Sequence, residues 1–94
     1  MVALSSPEIP VRACSAWTLG SIGDARAEAG LIECLQDTAP RVRRAAVWAL
    51  GNLKQVNTSN AIPALLVAMD DADPVVRALA HDSLEALGLK VTLS

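Results

Sequence analysis

The chain has few aromatic residues, which limits the kind of core it can form. Among its 94 residues there is no Phe or Tyr and there are only two Trp, although 52% of the residues are hydrophobic. The core must therefore be built from Ala, Leu and Val, a composition that favours close helix–helix packing over a β-sandwich. A length of 94 residues predicts a single domain spanning residues 1–94.

The sequence also lacks a surplus of positive charge and any long apolar run. Its net charge is −2 and its isoelectric point is near 5.1, which argues against binding to nucleic acid or to anionic lipid. The longest uncharged apolar stretch, residues 61–69, is much shorter than the roughly 20 residues of a membrane span. The first residues show no basic segment followed by an apolar one, so we expect no secretory signal and a cytoplasmic location.

Residues suited to catalysis or metal binding are scarce. Cys14 and Cys34 occupy small apolar positions of predicted helices, which predicts reduced core residues in a cytosolic protein. Neither has a His near it in sequence, so a zinc site or a Cys–His nucleophile has no support. His81 is interpreted as a surface residue, because its neighbour Asp82 should point about 100° away on a helix. We therefore predict no catalytic, metal-binding or cofactor-binding residue, and no enzymatic activity.

What the chain does contain is an internal repeat. Three similar decapeptides begin at Val11, Val42 and Val76, with spacings of 31 and 34 residues. Self-similarity at this period is typical of a solenoid of two-helix units. Together with Pro and Asp at helix starts and Gly at helix ends, it predicts five helices, so that the array opens with a half-repeat. Their predicted ranges are residues 7–22, 25–37, 40–53, 59–70 and 74–87.

The segments between the decapeptides repeat as well. Residues 24–37 align with residues 58–71 at an offset of 34. The pattern V-R-x-x-A-x-x-x-L-G followed by D-x-x-A-x-x-x-L-I-x-x-L-x-D resembles the short HEAT-like repeat over residues 8–88. This is the type also found in bilin lyases and in deoxyhypusine hydroxylase. The resemblance implies an all-α fold, a right-handed α-solenoid of antiparallel helix hairpins with about two and a half repeats.

The same resemblance implies a function. HEAT-like arrays suggest a non-enzymatic module that binds or scaffolds a protein partner on its concave surface. The alternative is an accessory fragment related to bilin lyases, which would contact a tetrapyrrole or its carrier protein. Deoxyhypusine hydroxylases bind iron through His-Glu pairs; this chain contains no His-Glu dipeptide, so that activity is not carried over.

A helical rotation of 100° per residue divides each decapeptide helix into two faces. In the middle repeat the predicted buried face consists of Val42, Ala46, Ala49, Leu50 and Leu53. The opposite face carries Trp17 and Trp48 at equivalent positions, and the resemblance implies that it lines the concave surface. The predicted partner-binding residues are Trp17, Trp48, Arg44, Val47, Ala13 and Ala16. The alternative is that each Trp leans into the groove between repeats and belongs to the core.

Arginine recurs at the second position of each decapeptide. Arg12, Arg43 and Arg77 could form an anion-binding ladder, but their periodicity favours a structural role. In that role each guanidinium binds loop carbonyls or an aspartate of the inter-helix turn, Asp37 or Asp71. The unpartnered first helix and the apolar tail at residues 89–93 leave the array with open ends, so either the chain is cut from a longer array or it covers an end by self-association. In isolation, the open ends predict a homodimer or a domain-swapped pair.

Overall fold

The computed structural model describes residues 8–23, 27–52 and 58–88, and within them every regular element is a helix. The predicted all-α class is therefore confirmed. The helices are α1 (Ile9–Ile22), α2 (Glu28–Cys34), α3 (Pro40–Asn52), α4 (Thr58–Ala68) and α5 (Pro74–Ala86). Several expectations lie outside the described residues: the start of the first helix at residue 7, the start of the second at residue 25, the end of the third at residue 53, and the tail at 89–93.

The helices form two layers. One consists of α1, α3 and α5, with α3 in the middle in contact with both of the others. The second consists of α2, which lies against α3, and α4, which lies against α5. Each hairpin therefore contributes one helix to each layer, as a HEAT-like array requires, while α1 has no hairpin partner among the described residues. The hand of the solenoid stays a prediction.

Local signals in the sequence account for where the helices begin and end. The carboxylate of Asp73 accepts the N–H of Val76 at 3.2 Å, and Pro74 occupies the first turn, where its missing N–H costs nothing. Gly23 ends α1 with a left-handed φ of 74°, and its N–H donates to the carbonyl of Leu19 at 2.9 Å. Gly88 also has a positive φ, of 92°, just after α5.

Helices α2 and α4 end earlier than the sequence predicts, and in the same way. After Cys34 and after Ala68 the next three N–H groups each bond to a carbonyl three residues back, so the last turn tightens. This tighter turn brings Asp37 and Asp71 out of the helices and into the inter-helix turns. There each carboxylate accepts a backbone N–H two residues further on, from Ala39 and Asp73 respectively, at 2.9 Å.

Aliphatic side chains fill the core, as the composition requires. The largest fully buried side chains are Leu31, Leu50, Leu65, Leu84, Val42, Val47 and Val76. Alanines of α3 lie among them without any exposed surface: Ala45, Ala46 and Ala49. Of the face predicted to be buried in α3, every residue except Leu53, which lies outside the described residues, has no exposed surface.

Two glycines set the separation of the first-layer helices. A Cβ added at Gly20 would lie 2.6 Å from Cα and 2.7 Å from Cβ of Ala49. One added at Gly51 would lie 2.6 Å from Oγ and 2.8 Å from Cβ of Ser83. Such distances are shorter than any normal carbon contact. The Leu-Gly pair at the end of the first two decapeptides therefore allows α1 to approach α3, and α3 to approach α5.

This close packing corrects part of the predicted partner-binding face. Ala13, Ala16 and Val47 are only 1%, 0% and 0% exposed, so the expectation that they face a partner is wrong. The prediction assumed that a helix buries one face. In this layer a helix also buries the side that meets the next helix, which is where these residues lie.

Cys14 departs from expectation in the opposite direction. It is exposed, whereas Cys34 is buried, and both are free. Cys14 corresponds in the repeat to Ala45, which is fully covered. The difference arises because none of the described helices lies against the side of α1 that carries Cys14, whereas α1 lies against α3. No helix within the described residues is long and apolar enough to cross a lipid bilayer.

The glycine contacts make a prediction about stability. Gly20→Ala should destabilise the fold by about 1–3 kcal/mol through overpacking against the backbone of Ala49, although alanine is the better helix former. Ala29→Gly, at an exposed position of α2, is the control: it measures the intrinsic difference between the residues, about 1 kcal/mol in favour of Ala. Denaturant unfolding checks both. A Gly20→Ala protein more stable than the parent would contradict the close approach.

Candidate functional site

The two Trp residues are in direct contact with each other. Trp17 on α1 and Trp48 on α3 have ring centroids 4.4 Å apart and ring planes inclined by 50°. Trp17 is 39% exposed, whereas Trp48 is half-buried and packs against the core. Each of the two predicted alternatives therefore describes one member of the pair: Trp48 helps to close the groove between α1 and α3, and Trp17 lies over it at the surface.

A shallow hollow lies on each side of this pair. The first, of about 470 Å³, runs along α1 and is lined by Ala13, Cys14, Trp17, Thr18, Ser21, Ile22 and the Arg41 side chain. The second, of about 280 Å³, lies between α3 and α5 and is lined by Trp48, Gly51, Asn52, Leu79, Asp82, Ser83 and Ala86. Because Trp17 lines one and Trp48 the other, the Trp pair forms the ridge between them.

The second hollow combines an apolar floor with hydrogen-bond acceptors. Trp48 and Leu79 supply the apolar surface, and the carboxylate of Asp82 is exposed at the rim. The hydroxyl of Ser83 is buried and donates to the carbonyl of Val47 at 2.8 Å, so it is already used inside the fold. The Asn52 amide nitrogen donates to the Trp48 carbonyl at 2.8 Å, which leaves the amide oxygen as an acceptor.

Arg44, predicted to contact a partner, is held by a carboxylate of the next repeat. Its Nε lies 2.7 Å and its Nη2 2.9 Å from the two oxygens of Asp73. This hydrogen-bonded pair lowers the pKa of Asp73 to about 2 and raises the pKa of Arg44. The side chain of Arg44 is still 41% exposed. The pairing of Arg44 with Asp73 was not predicted from the sequence, since it has no counterpart in the first repeat, where Ala13 replaces Arg44.

The recurring arginines join successive repeats. Arg12 binds both oxygens of Asp37, at 2.9 and 3.1 Å, and Arg43 binds both oxygens of Asp71 at the same distances. Arg43 also donates from Nη1 to the carbonyls of Asp37 and Thr38, at 2.8 and 3.2 Å. These are the two kinds of contact expected of a structural arginine.

Arg77 repeats half of this arrangement. Its Nη1 donates to the carbonyls of Asp71 and Ala72, at 2.7 and 3.3 Å, as Arg43 does one repeat earlier. All three arginines thus bind the turn regions between helices, which favours the structural role over an anion-binding ladder.

The same contacts affect nearby ionisable groups. Burial alone would raise the pKa of Asp37, but hydrogen bonds from Arg12 and from the N–H of Ala39 outweigh it, so the pKa is lowered. Burial, reinforced by the charge of Asp37, raises the pKa of the Cys34 thiol. Cys34 is therefore a protonated core residue at neutral pH rather than a reactive thiolate.

His81 lies closer to its acidic neighbours than expected. Its Nδ1 is 3.7 Å from an oxygen of Asp82 and 3.5 Å from one of Glu85, so the expectation that His81 and Asp82 point apart is wrong. One ligand atom from each of these three residues falls within 4.8 Å of the others. The group makes the exposed edge of α5 polar, and its member Asp82 also reaches the rim of the hollow between α3 and α5.

Comparison with known protein families gives a match. A family model described as HEAT repeats covers residues 1–85, nearly the whole chain and both described hairpins. No curated protein matches the chain. The match supports the resemblance first inferred from the Val-Arg decapeptides, and it extends no further than the repeat itself; the bilin-lyase type of repeat stays a prediction.

The inter-repeat contacts predict a graded effect of removing arginines. Arg43→Ala leaves the half-buried carboxylate of Asp71 without its partner and should destabilise the fold by about 2–4 kcal/mol. Arg77→Ala removes only exposed bonds to two carbonyls and should cost about 1 kcal/mol or less. Denaturant unfolding of both variants checks this. Equal losses would mean that the Arg43–Asp71 pair adds nothing beyond the carbonyl contacts.

The Arg44–Asp73 pair predicts a dependence of stability on pH. Because the folded pKa of Asp73 is about 2, below an ordinary Asp value of about 3.9, the unfolded chain binds more protons between these values. The stabilisation is complete above about pH 4 and is lost as the pH falls towards 2. Arg44→Gln should therefore show a shallower loss of stability over this range. The Arg12–Asp37 pair is present in both proteins and affects both equally. Parallel curves of stability against pH for the parent and Arg44→Gln would therefore contradict the assignment to Asp73.

Proposed function

We propose that this chain, which belongs to the HEAT-repeat family, is a non-enzymatic module that binds a protein partner on the surface around Trp17 and Trp48. HEAT repeats generally act as protein-interaction modules, and the family is generally non-enzymatic. The observation that carries the proposal is the Trp pair itself: a half-buried Trp48 supports a 39% exposed Trp17 on a ridge between two hollows.

The Trp pair has the properties of a binding hot spot. Trp is enriched at such positions because its large ring is apolar and loses little conformational freedom on binding. Contact with Trp48 restricts Trp17 before any partner arrives, which reduces the entropy lost on association. A ring that is anchored on one side and exposed on the other is suited to contact with a second protein.

The second hollow indicates what the partner presents. Its floor is apolar, while the groups at its rim are acceptors: the carboxylate of Asp82 and the amide oxygen of Asn52. A long side chain with an apolar stem and a cationic end, Lys or Arg, satisfies both. We therefore expect the partner to insert a basic residue beside Trp48 while an apolar neighbour covers Trp17. Ala13, Ala16 and Val47 have no part in this surface.

A tetrapyrrole, or the protein that carries one, is the alternative occupant. The first hollow, at about 470 Å³ the larger of the two described, has the ring of Trp17 on one wall and Arg41 within reach of an acidic substituent. Stacking on Trp17 would shift the absorbance of an added bilin and quench Trp fluorescence. If the surface instead binds a protein partner beside Trp48, adding a bilin should cause neither change.

We further propose that the module acts in the cytoplasm and that copies associate through an open end of the array. Two free cysteines, one exposed, fit a reducing compartment.

Surface variants test the partner-binding proposal. Trp17→Ala and Asp82→Lys should each weaken binding, Trp17→Ala by about 30-fold or more, the effect of losing a hot-spot residue. Both side chains are partly or fully exposed, so circular dichroism and unfolding should change little. Partner is first captured from cells of the source organism with the parent protein, and the dissociation constant of each variant is then measured by calorimetry.

The matched control is Val67→Ser on α4, a 66% exposed apolar residue in the other helix layer. It should bind like the parent. If Trp17→Ala and Asp82→Lys also bind like the parent, the interaction lies elsewhere and the proposal is wrong. If an added bilin shifts its absorbance with the parent but not with Trp17→Ala, the alternative is favoured instead.

A further inference from the structure

The groove between α3 and α5 lacks a ring that fills the groove between α1 and α3. The seventh residues of the three decapeptides are Trp17, Trp48 and Asp82. In the first groove the ring of Trp48 covers Gly20: a Cβ added to this buried glycine would lie 2.8 Å from Cζ3 of the ring. In the second groove the equivalent Gly51 is only half-buried, because Asp82 is too short to cover it. The second hollow therefore lies where the third repeat has a carboxylate in place of an indole.

This hollow is a feature of the interior of the array. All the residues that line it belong to α3 or α5. Beneath it the two helices are already in contact, since a Cβ added at Gly51 would lie 2.6 Å from Oγ of Ser83. The helices cannot move closer to close the hollow. Its walls are thus set by the packing of two described helices, whatever lies beyond either of them.

The size of the hollow suits a single side chain. Its volume is about 280 Å³, whereas pockets that enclose a whole small molecule usually measure about 300–1,000 Å³. Trp48 and Leu79 line it, and both are half-buried, so their apolar surfaces are held in place by the core. An apolar stem that enters between α3 and α5 would bury these surfaces further.

The rim of the hollow supplies acceptors rather than donors. The side chain of Asp82 is 75% exposed, and Nδ1 of His81 lies 3.7 Å from one of its oxygens, too far for a hydrogen bond. The amide oxygen of Asn52 is a further acceptor, because the amide nitrogen donates to the carbonyl of Trp48. The hydroxyl of Ser83 donates within the fold. A complementary group must therefore carry positive charge and several N–H donors.

Of the two basic side chains, arginine matches this combination better than lysine. A guanidinium is planar, stacks on aromatic rings and presents five N–H donors in a fixed fork. It can lie on the ring of Trp48 while its N–H groups donate to Asp82 and Asn52. A lysine ammonium is a strongly hydrated point charge, and a single ion pair at an exposed rim contributes little.

We propose that the second hollow binds an arginine side chain of the partner, with its guanidinium stacked on Trp48 and hydrogen-bonded to Asp82. The planar group takes the place that an indole takes in the first groove. This inference rests on the proposed partner surface and narrows its occupant from a basic residue to arginine. Trp17 stays available for the apolar neighbour of that arginine.

Small probes test the hollow on the full chain without any partner. The indole N–H signals of the two tryptophans are followed by nuclear magnetic resonance, and Trp17→Ala assigns them because it removes one. N-acetyl-arginine amide should shift the Trp48 signal, and it should bind about fivefold or more tightly than N-acetyl-lysine amide. Equal binding of the two amides would overturn the proposal, since charge alone would then account for it. Tighter binding of N-acetyl-tryptophan amide would overturn it too, in favour of a neutral ring.

Variants of Asp82 test the origin of the hollow. Asp82→Trp supplies the missing ring, so it should fill the hollow, abolish binding of the arginine probe and increase the free energy of unfolding. Asp82→Asn keeps the hollow but removes the charge, and should weaken binding by about fivefold or more, even if Asp82→Trp does not fold. The matched control is Asp70→Asn, the same change at an exposed position after α4, which should bind like the parent.

These results separate the arginine site from the proposed function. An unshifted Trp48 signal, or an Asp82→Asn or Asp82→Trp protein that binds the probe like the parent, overturns the arginine site. If Trp17→Ala still weakens capture of the partner in that case, the partner surface stands without it. If the probe binds as expected but neither Trp17→Ala nor Asp82→Lys affects capture, the preference for arginine stands and the proposed function is wrong.

Discussion

The close approach of three helices in one layer is the constraint from which the other features of this molecule follow. At Gly20 and Gly51 the neighbouring helix is so near that even a methyl group would collide with it. Such proximity gives small residues enough contact to fill a core without Phe or Tyr, because interior packing density depends on fit rather than on side-chain size. It also leaves the large residues to the two faces of the layer, one of which is covered by α2 and α4. The Trp pair is found at one of these surfaces.

The same proximity explains why salt bridges recur along the array. When helices approach through small residues, the long side chains beside the contact can reach the next repeat. Arg12 and Arg43 each reach an aspartate in a tightened turn, and Arg44 reaches the cap of α5. These bidentate pairs fix the register between repeats with a geometry that a lysine could not reproduce. Hydrophobic contacts alone, being non-directional, would permit repeats to slide.

Periodicity allowed the fold to be predicted, whereas it could only partly predict the exposed surface. Repeat spacing, capping residues and the Val-Arg decapeptides sufficed for five helices and for the structural role of the arginines. The rotation of a single helix could not show that Ala13, Ala16 and Val47 are buried. That fact depends on a neighbouring helix at the side, and helix rotation alone carries no information on neighbours. The Leu-Gly pairs that end the first two decapeptides were the available signal for this neighbour, since a helical Gly between strong helix formers indicates a close contact.

The two edges of the layer are chemically different, and this difference has consequences for association. The last position of the three decapeptides is Gly20, Gly51 and Glu85. The two glycines permit close contact with the next helix of the layer, whereas a glutamate at that position opposes it. At the other edge, α1 exposes Val11, Cys14, Thr18 and Ile22, and the Thr18 hydroxyl donates to the carbonyl of Cys14 within the helix. Capping surfaces of repeat arrays are normally polar, as the α5 edge is. The exposed residues of α1 are less polar than the group of His81, Asp82 and Glu85 on α5, so the two edges suit different contacts.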